Sequence, residues 1–399
     1  MNKKFNFLCV IFIPMFFSIH GIYKGIIAEN GLHLGESGLI FPLIFFFGIY
    51  SCLSIIYHSL KTKELIINKN VIVIIISIIT YAICITSIGY ISHLDIIVFL
   101  RLIQFLSFIF GFSIYYHLFI IKKYNFNLFF NSLFKLLLFI VVMHYISSLI
   151  ELGFINSIKS ISPNIYGFGI YQSRVYYPYL VVCIFYFSIN FISNNKLKII
   201  GILLIGLYVF SLQVRGALIS YILFTTLFFI LNIKNKLCLL LLTLLTIVIG
   251  GIGFKNLGEA SLGRFGDIGK FATFNGRLEI WAKDLVINNP SQLLIGNLFY
   301  DPDNISSHNQ YINFYVYGGA TLLLMMGIII ILFVFLLLKT ISYKDNRLIF
   351  ILLSFFIPII VDLNVNVPLN NLNSSIIYTF IWNCAYIYTI KELNKYEEV

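Results

Sequence analysis

The sequence predicts an all-α polytopic membrane protein of about twelve transmembrane helices. Three observations predict it. Apolar residues make up 60% of the 399-residue chain and charged residues 11%, with a mean hydropathy of +0.95; a soluble globule cannot bury that much apolar surface. The apolar residues are gathered into runs near the ~20 residues that a helix needs to cross a bilayer. Most of these runs are apolar all round rather than alternating, which fits helices and not a membrane β-barrel.

The runs, in order, are Phe5–Tyr23, Ser37–Leu60, Val71–Gly89, Ile96–Ile121, Asn131–Ile150, Val175–Ile192, Ile199–Gln213, Gly216–Leu231, Leu237–Phe254, Ile312–Leu338, Leu348–Val361 and Ser374–Ile390. The seventh, eighth and eleventh are short, as tilted, paired or broken helices would be. The first is too long for a cleaved signal peptide and lacks a small-residue cleavage pattern. The whole chain, 1–399, reads as one integral membrane domain with no soluble second domain.

Charge sets the orientation. Sixteen basic residues, among them Lys3, Lys61, Lys122, Lys196, Lys234, Lys339, Arg347 and Lys395, fall on one side, while the short loops opposite carry Lys24, Lys159, Arg174 and Arg215. Both termini are therefore expected in the cytoplasm. The opposite face then carries the loops 151–174, 254–311 and 362–373, of which 254–311 is the long one. The net charge of +11 is mostly this topology signal and calls for no nucleic acid. Acidic residues distribute the other way, eleven of sixteen outward, Asp362 among them and none in the middle of a span. Arg101 and Lys135 sit near span ends, where long cationic side chains snorkel. The six cysteines all fall in apolar runs and read as packing residues, with no thiolate metal site in the long loop.

The long loop holds the chemistry. Asn275 is a candidate N-cap and Pro290 a stop; between them Leu278, Trp281, Ala282 and Leu285 form one apolar helix face, with Arg277 off that stripe. Such a helix rests on the bilayer surface or on the bundle ends. Farther on, Ser306 or Ser307 would cap the tenth membrane helix, placing His308 in its first turn and Tyr311 one turn along the same face. A helix N-terminus suits a phosphate and favours the neutral imidazole that accepts a proton. The plainer readings remain: Arg277 as a solvated surface arginine and His308 as an interfacial histidine satisfied by water.

Arg215 lies in the tight turn Gln213-Val214-Arg215-Gly216, and Arg174 ends the loop 151–174. Arginine grips phosphate with two parallel N–H bonds, so these arginines with Arg277 and His308 point to a diphosphate site at the outward face. Asp301-Pro302-Asp303 has the form of a cation-holding pair, but a proline turn accounts for it more simply. Tyr166, Tyr171, Tyr176, Tyr177 and Tyr300 could stack on sugars, but an interfacial belt accounts for each of them more simply.

Three segments, VRGALISY, NGRLEIWAKDLVINNP…LLIGNLF and SSHNQYINFYVYGGATLLL, together resemble the O-antigen polymerase and O-antigen ligase family. The matching positions are Arg215-Gly216; Gly276-Arg277, Trp281, Pro290 and Gly296; and His308-Asn309-Gln310-Tyr311 with Gly318, covering about a third of the chain. The resemblance implies a metal-independent inverting glycosyltransferase of the multi-helix C type in the bacterial inner membrane, needing no cofactor. Its substrates would be glycans on undecaprenyl diphosphate. Arg215, Arg277 and Arg174 would bind the diphosphate, although Arg174 stands closer to Pro178 than the family pattern expects. His308 would assist the acceptor hydroxyl, and Asn309 and Tyr311 would position substrate. Expected partners are the lipid-linked donor and acceptor, membrane lipids, a chain-length regulator and a flippase, and no nucleic acid. A polymerase fits better than a ligase that moves polymer to lipid A-core. A transporter of lipid-linked sugars is the rival class, and it would want charged residues inside the bundle.

Overall fold

A computed structural model describes residues 43–62, 69–95, 97–152, 164–165, 170–171, 177–212, 214–232, 280–282, 285, 290–298, 309–365, 369 and 372–397. The described elements are helical apart from one antiparallel β pair of two residues a side, Asn164–Ile165 with Ile170–Tyr171. The helices are α1 (Leu43–Thr62), α2 (Lys69–His93), α3 (Ile97–Leu106), α4 (Phe108–Tyr115), α5 (Phe126–Leu152), α6 (Tyr177–Ser188), α7 (Asn195–Ser211), α8 (Arg215–Asn232), α9 (Pro290–Ile295), α10 (Gln310–Ser342), α11 (Asn346–Ile357) and α12 (Leu372–Glu397). The runs Phe5–Tyr23 and Leu237–Phe254 lie outside the described residues, and helices occupy the other ten.

Among the described residues, five stretches are long and apolar enough to cross a bilayer: Ile44–Thr62, Ile75–His93, Arg101–Ile121, Phe126–Ile150 and Gln310–Ser342. Shorter apolar helices cover Pro178–Phe191 and Gly216–Asn232. Their surfaces expose Leu, Ile and Phe, as a lipid-facing bundle must.

The core is aromatic. Phe130, Phe134, Phe185, Phe187, Phe350, Phe355 and Tyr186 are fully buried where α5, α6, α11 and α12 meet. Edge-on and offset ring pairs, such as Phe130–Phe187 at 4.6 Å and Tyr186–Phe224 at 4.8 Å, fill the space between backbones. α4 crosses α12 so closely at Gly111 that a Cβ there would collide with the Ile376 carbonyl and the Thr379 hydroxyl. Cys183 and Cys384 are buried as expected, but Cys84 faces outward from α2.

Two helices depart from regular geometry. α4 runs into a π-helical turn, Tyr116–Ile121, and α11 into another, Pro358–Asp362, followed by a helical turn at Leu363–Val365. Pro358 explains the second: proline has no N–H to give the carbonyl four residues back. That carbonyl, of Ser354, instead faces the Cys183 thiol at 3.5 Å.

α10 is also broken. Gly319, with φ 63° and ψ −161°, is non-helical inside it, a conformation open only to glycine. The break is sealed by α9 and the turn after it. Asn297 N–H donates to the Val316 carbonyl at 2.6 Å, the Tyr81 hydroxyl to the Gly318 carbonyl at 2.8 Å, and the Thr321 hydroxyl to the Leu294 carbonyl at 2.9 Å. A Cβ at Gly319 would strike the Leu294 backbone, and one at Gly296 (φ 61°) would strike the Val316 carbonyl. In an apolar bundle every backbone group freed by a break needs such a partner. Pro290, expected only to stop a helix, opens α9, where its missing N–H has no intrahelical acceptor to lose.

Candidate functional site

The helices have two distinct ends. One carries Lys196, Lys198, Lys339, Asp345, Arg347 and Lys395; the other carries the starts of α8 and α10 and the π-helical turn that follows α11. The second end is where the sequence places its chemistry.

α8 begins at Arg215, whose side chain is outside the described residues. Gly216 follows, and a Cβ on it would run into the Tyr179 hydroxyl of α6. The glycine thus lets α6 press against the backbone beside Arg215. The body of α8 packs on the π-helical turn Pro358–Asp362.

α10 begins at Gln310, and its cap is Asn309, not Ser306 or Ser307. The Asn309 carboxamide oxygen accepts from Tyr311 N–H at 3.0 Å and Ile312 N–H at 3.2 Å. The expectation of a serine cap with His308 in the first turn is therefore corrected: His308 precedes the cap. A two-pronged asparagine cap satisfies two orphan donors at once, and its extended backbone ends the helix there.

The cap region is tied to the same π-helical segment. Asn309 Nδ2 donates to the Asn364 carbonyl at 3.4 Å, and the Tyr311 hydroxyl donates to the Ile359 carbonyl at 2.9 Å. Gln310, fully buried, accepts from Leu369 N–H at 2.9 Å. Asn364 Nδ2 donates to the Ile360 carbonyl at 2.8 Å, so carbonyls of the π-helical turn are met by side chains. Asn309 and Tyr311, expected to position substrate, are both engaged in fixing the start of α10.

Sequence reading missed Asp362. It was placed in an outer loop, yet it is 1% exposed and accepts a hydrogen bond from the Tyr378 hydroxyl of α12. Tyr378 is buried too; it stands near Cys183 and Tyr179 of α6, and Asp362 stands near Cys183. The placement of Asp362 in an outer loop is thereby corrected: it closes the π-helical turn and is buried. A buried carboxylate is costly unless paired and hydrogen-bonded, and in a membrane protein it marks function by default. The only local signal was its position at the end of an apolar run beside Pro358.

Arg101 also differs from expectation. It is half-buried, with its guanidinium 5.7 Å from the centre of the Tyr317 ring, close to the α10 break, rather than merely snorkelling. Trp281 and Leu285 do form a helical turn, with Leu285 N–H bonded to the Trp281 carbonyl at 3.0 Å. Arg174, Arg277, His308 and Asp301-Pro302-Asp303 lie outside the described residues. Among the described residues no cluster of three His, Cys, Asp or Glu side chains forms a metal site.

α8, which Arg215 opens, thus packs on the same π-helical turn to which the start of α10 is bonded. Comparison with family models, with curated proteins and with solved structures finds no match for this chain.

Proposed function

We propose that the chain is a surface-polysaccharide polymerase of the O-antigen type. It joins repeat units carried on undecaprenyl diphosphate at the periplasmic face of a bacterial inner membrane, with both termini cytoplasmic and about twelve helices crossing. One observation carries the reading. α8, which Arg215-Gly216 opens, packs on the π-helical turn Pro358–Asp362, and the Asn309–Tyr311 segment, far off in sequence, bonds to that turn through Tyr311 and to Asn364 just beyond it.

In the reaction an acceptor sugar hydroxyl attacks the anomeric carbon of the donor glycan. The bond from that carbon to the diphosphate oxygen breaks with inversion, and the hydroxyl proton passes to His308. Arg215, Arg277 and Arg174 take up the charge gathering on the leaving diphosphate, which guanidinium forks do without a proton to manage. Asn309 and Tyr311 act by holding the helix start that His308 precedes.

Purified protein in vesicles should lengthen lipid-linked repeats, and His308→Ala should slow extension by about 10² to 10⁴-fold while single repeats accumulate. A His308→Gln enzyme with near-normal turnover would remove the base role. Product appearing only on lipid A-core would make the chain a ligase instead. The buried Asp362 favours a second reading, a transporter of lipid-linked sugars. Movement of a fluorescent lipid-linked glycan across the vesicle wall, with no lengthening, would establish it.

A further inference from the structure

A histidine stands deep inside the bundle with no part in the reaction above. His144, on α5, is fully buried, and its Nδ1 lies 2.6 Å from the Tyr208 hydroxyl on α7. The next residue, Tyr145, places its hydroxyl 3.0 Å from Ser211 Oγ in the last turn of α7. Ser211 itself donates to the Leu207 carbonyl at 2.9 Å, so Tyr145 is the donor of that pair. The rings of His144, Tyr145 and Tyr208 also meet edge-on, at centroid distances of 5.4 and 6.0 Å. Ser148, one turn beyond His144 and fully buried, continues this polar face along α5.

These contacts grip α7 over its final turn, immediately before the short connection to Arg215. Leu212, in that connection, is buried. On the other side, the Tyr179 hydroxyl presses on Gly216. The last turn of α7, which ends four residues before Arg215, is thus held from α5, and Gly216 after it meets α6. An apolar side chain would pack between two membrane helices at lower desolvation cost than imidazole. What a hydrogen-bonded pair adds is a fixed register between them, because the bond forms at one axial position only.

We propose that His144 and Tyr145 are positioning residues for Arg215, clamping the end of α7 so that the guanidinium meets an anionic ligand pre-organised. The inference rests on the diphosphate reading of Arg215. Positioning matters because a charged fork misplaced by about 1 Å forfeits much of its binding.

The test uses the full chain in lipid nanodiscs, with inorganic diphosphate as probe in calorimetry and amide hydrogen exchange over residues 212–218. His144→Phe and Tyr208→Phe should each weaken diphosphate affinity about tenfold, the net worth of one buried hydrogen bond, and raise exchange. The double variant should be no worse than the more affected single one, since both remove one bond. Tyr145→Phe should give a smaller loss in the same direction, and it carries the test if a ring replacement in the interior prevents folding. Folded variants with wild-type affinity and unchanged exchange, differing only in melting temperature, would overturn the proposal. If wild-type protein binds no diphosphate, the diphosphate reading is what fails. The exchange arm then still decides the clamp: faster exchange supports it and unchanged exchange overturns it.

Discussion

The two ends of the bundle handle polar groups in opposite ways. At the lysine-rich end the partners are side chains in water: Lys339 with Glu397 at 2.6 Å, Lys395 with Glu392 at 2.7 Å, and Tyr396 with Asp345 at 2.9 Å. At the other end Gln310 is buried and Tyr311 half-buried, and both bond to main chain. Solvent screens the first set, so each pair contributes little and can be exchanged cheaply. The second set sits in low dielectric, where a lost partner leaves an unpaid desolvation penalty. The difference teaches where substitutions should hurt, independently of any assay of function.

The largest contrast is between two aspartates. Asp362→Ala should destabilise by about 1–3 kcal/mol, because it takes the acceptor from the buried Tyr378 hydroxyl. Asp345 caps α11 by accepting from Arg347 N–H and Leu348 N–H, each at 3.0 Å. Asp345→Ala should therefore cost only about 1 kcal/mol, the usual worth of a cap. Denaturation of both variants in one detergent reads the comparison, and equal losses would break it.

A second contrast lies within α10. Gly319→Ala forces a side chain into the Leu294 backbone at a positive φ, and should cost about 1–3 kcal/mol or more while loosening α9. Gly327, on the same helix, has open space where its Cβ would stand. Gly327→Ala should gain about 0.5–1 kcal/mol, the ordinary helical preference for alanine. Protease nicking near residues 290–298 should rise for the first variant alone.

The smallest effect belongs to Tyr396. Its hydrogen bond to the Asp345 carboxylate, and then that charge itself, hold the phenol above its ordinary range. A raised phenol favours the neutral form in the folded state. Its stabilisation is therefore complete below the unfolded value, about 10, and is lost as pH rises through the folded one. Tyr396→Phe should therefore lower stability slightly at pH 7 and flatten the alkaline limb of a melting profile.

Much of the fold was legible because hydropathy is local. Each run such as Ile312–Leu338 or Ser374–Ile390 announces its helix by its own residues, and the structure places helices there with small shifts of the ends. Polar signals at helix starts were half legible. That α10 begins near residue 309 was readable, but whether serine or asparagine caps it depends on which side chain the backbone turns toward the free N–H groups. Asn309 wins by reaching two of them.

What the sequence by itself determined is the class: an apolar chain of helices, several long enough to cross a bilayer, with basic residues gathered at one end. Only the tertiary structure decided that Asp362 is inside, that α10 breaks at Gly319, that Tyr311 serves the main chain and that His144 is gripped by Tyr208. The reason is physical. An apolar run is favoured by its own transfer energy, whichever neighbours it meets. A buried carboxylate, a glycine break or an interior histidine is tolerable only if groups from distant segments arrive to satisfy it. No window of sequence contains both halves of such a bond, as Asp362 with Tyr378 and His144 with Tyr208 illustrate.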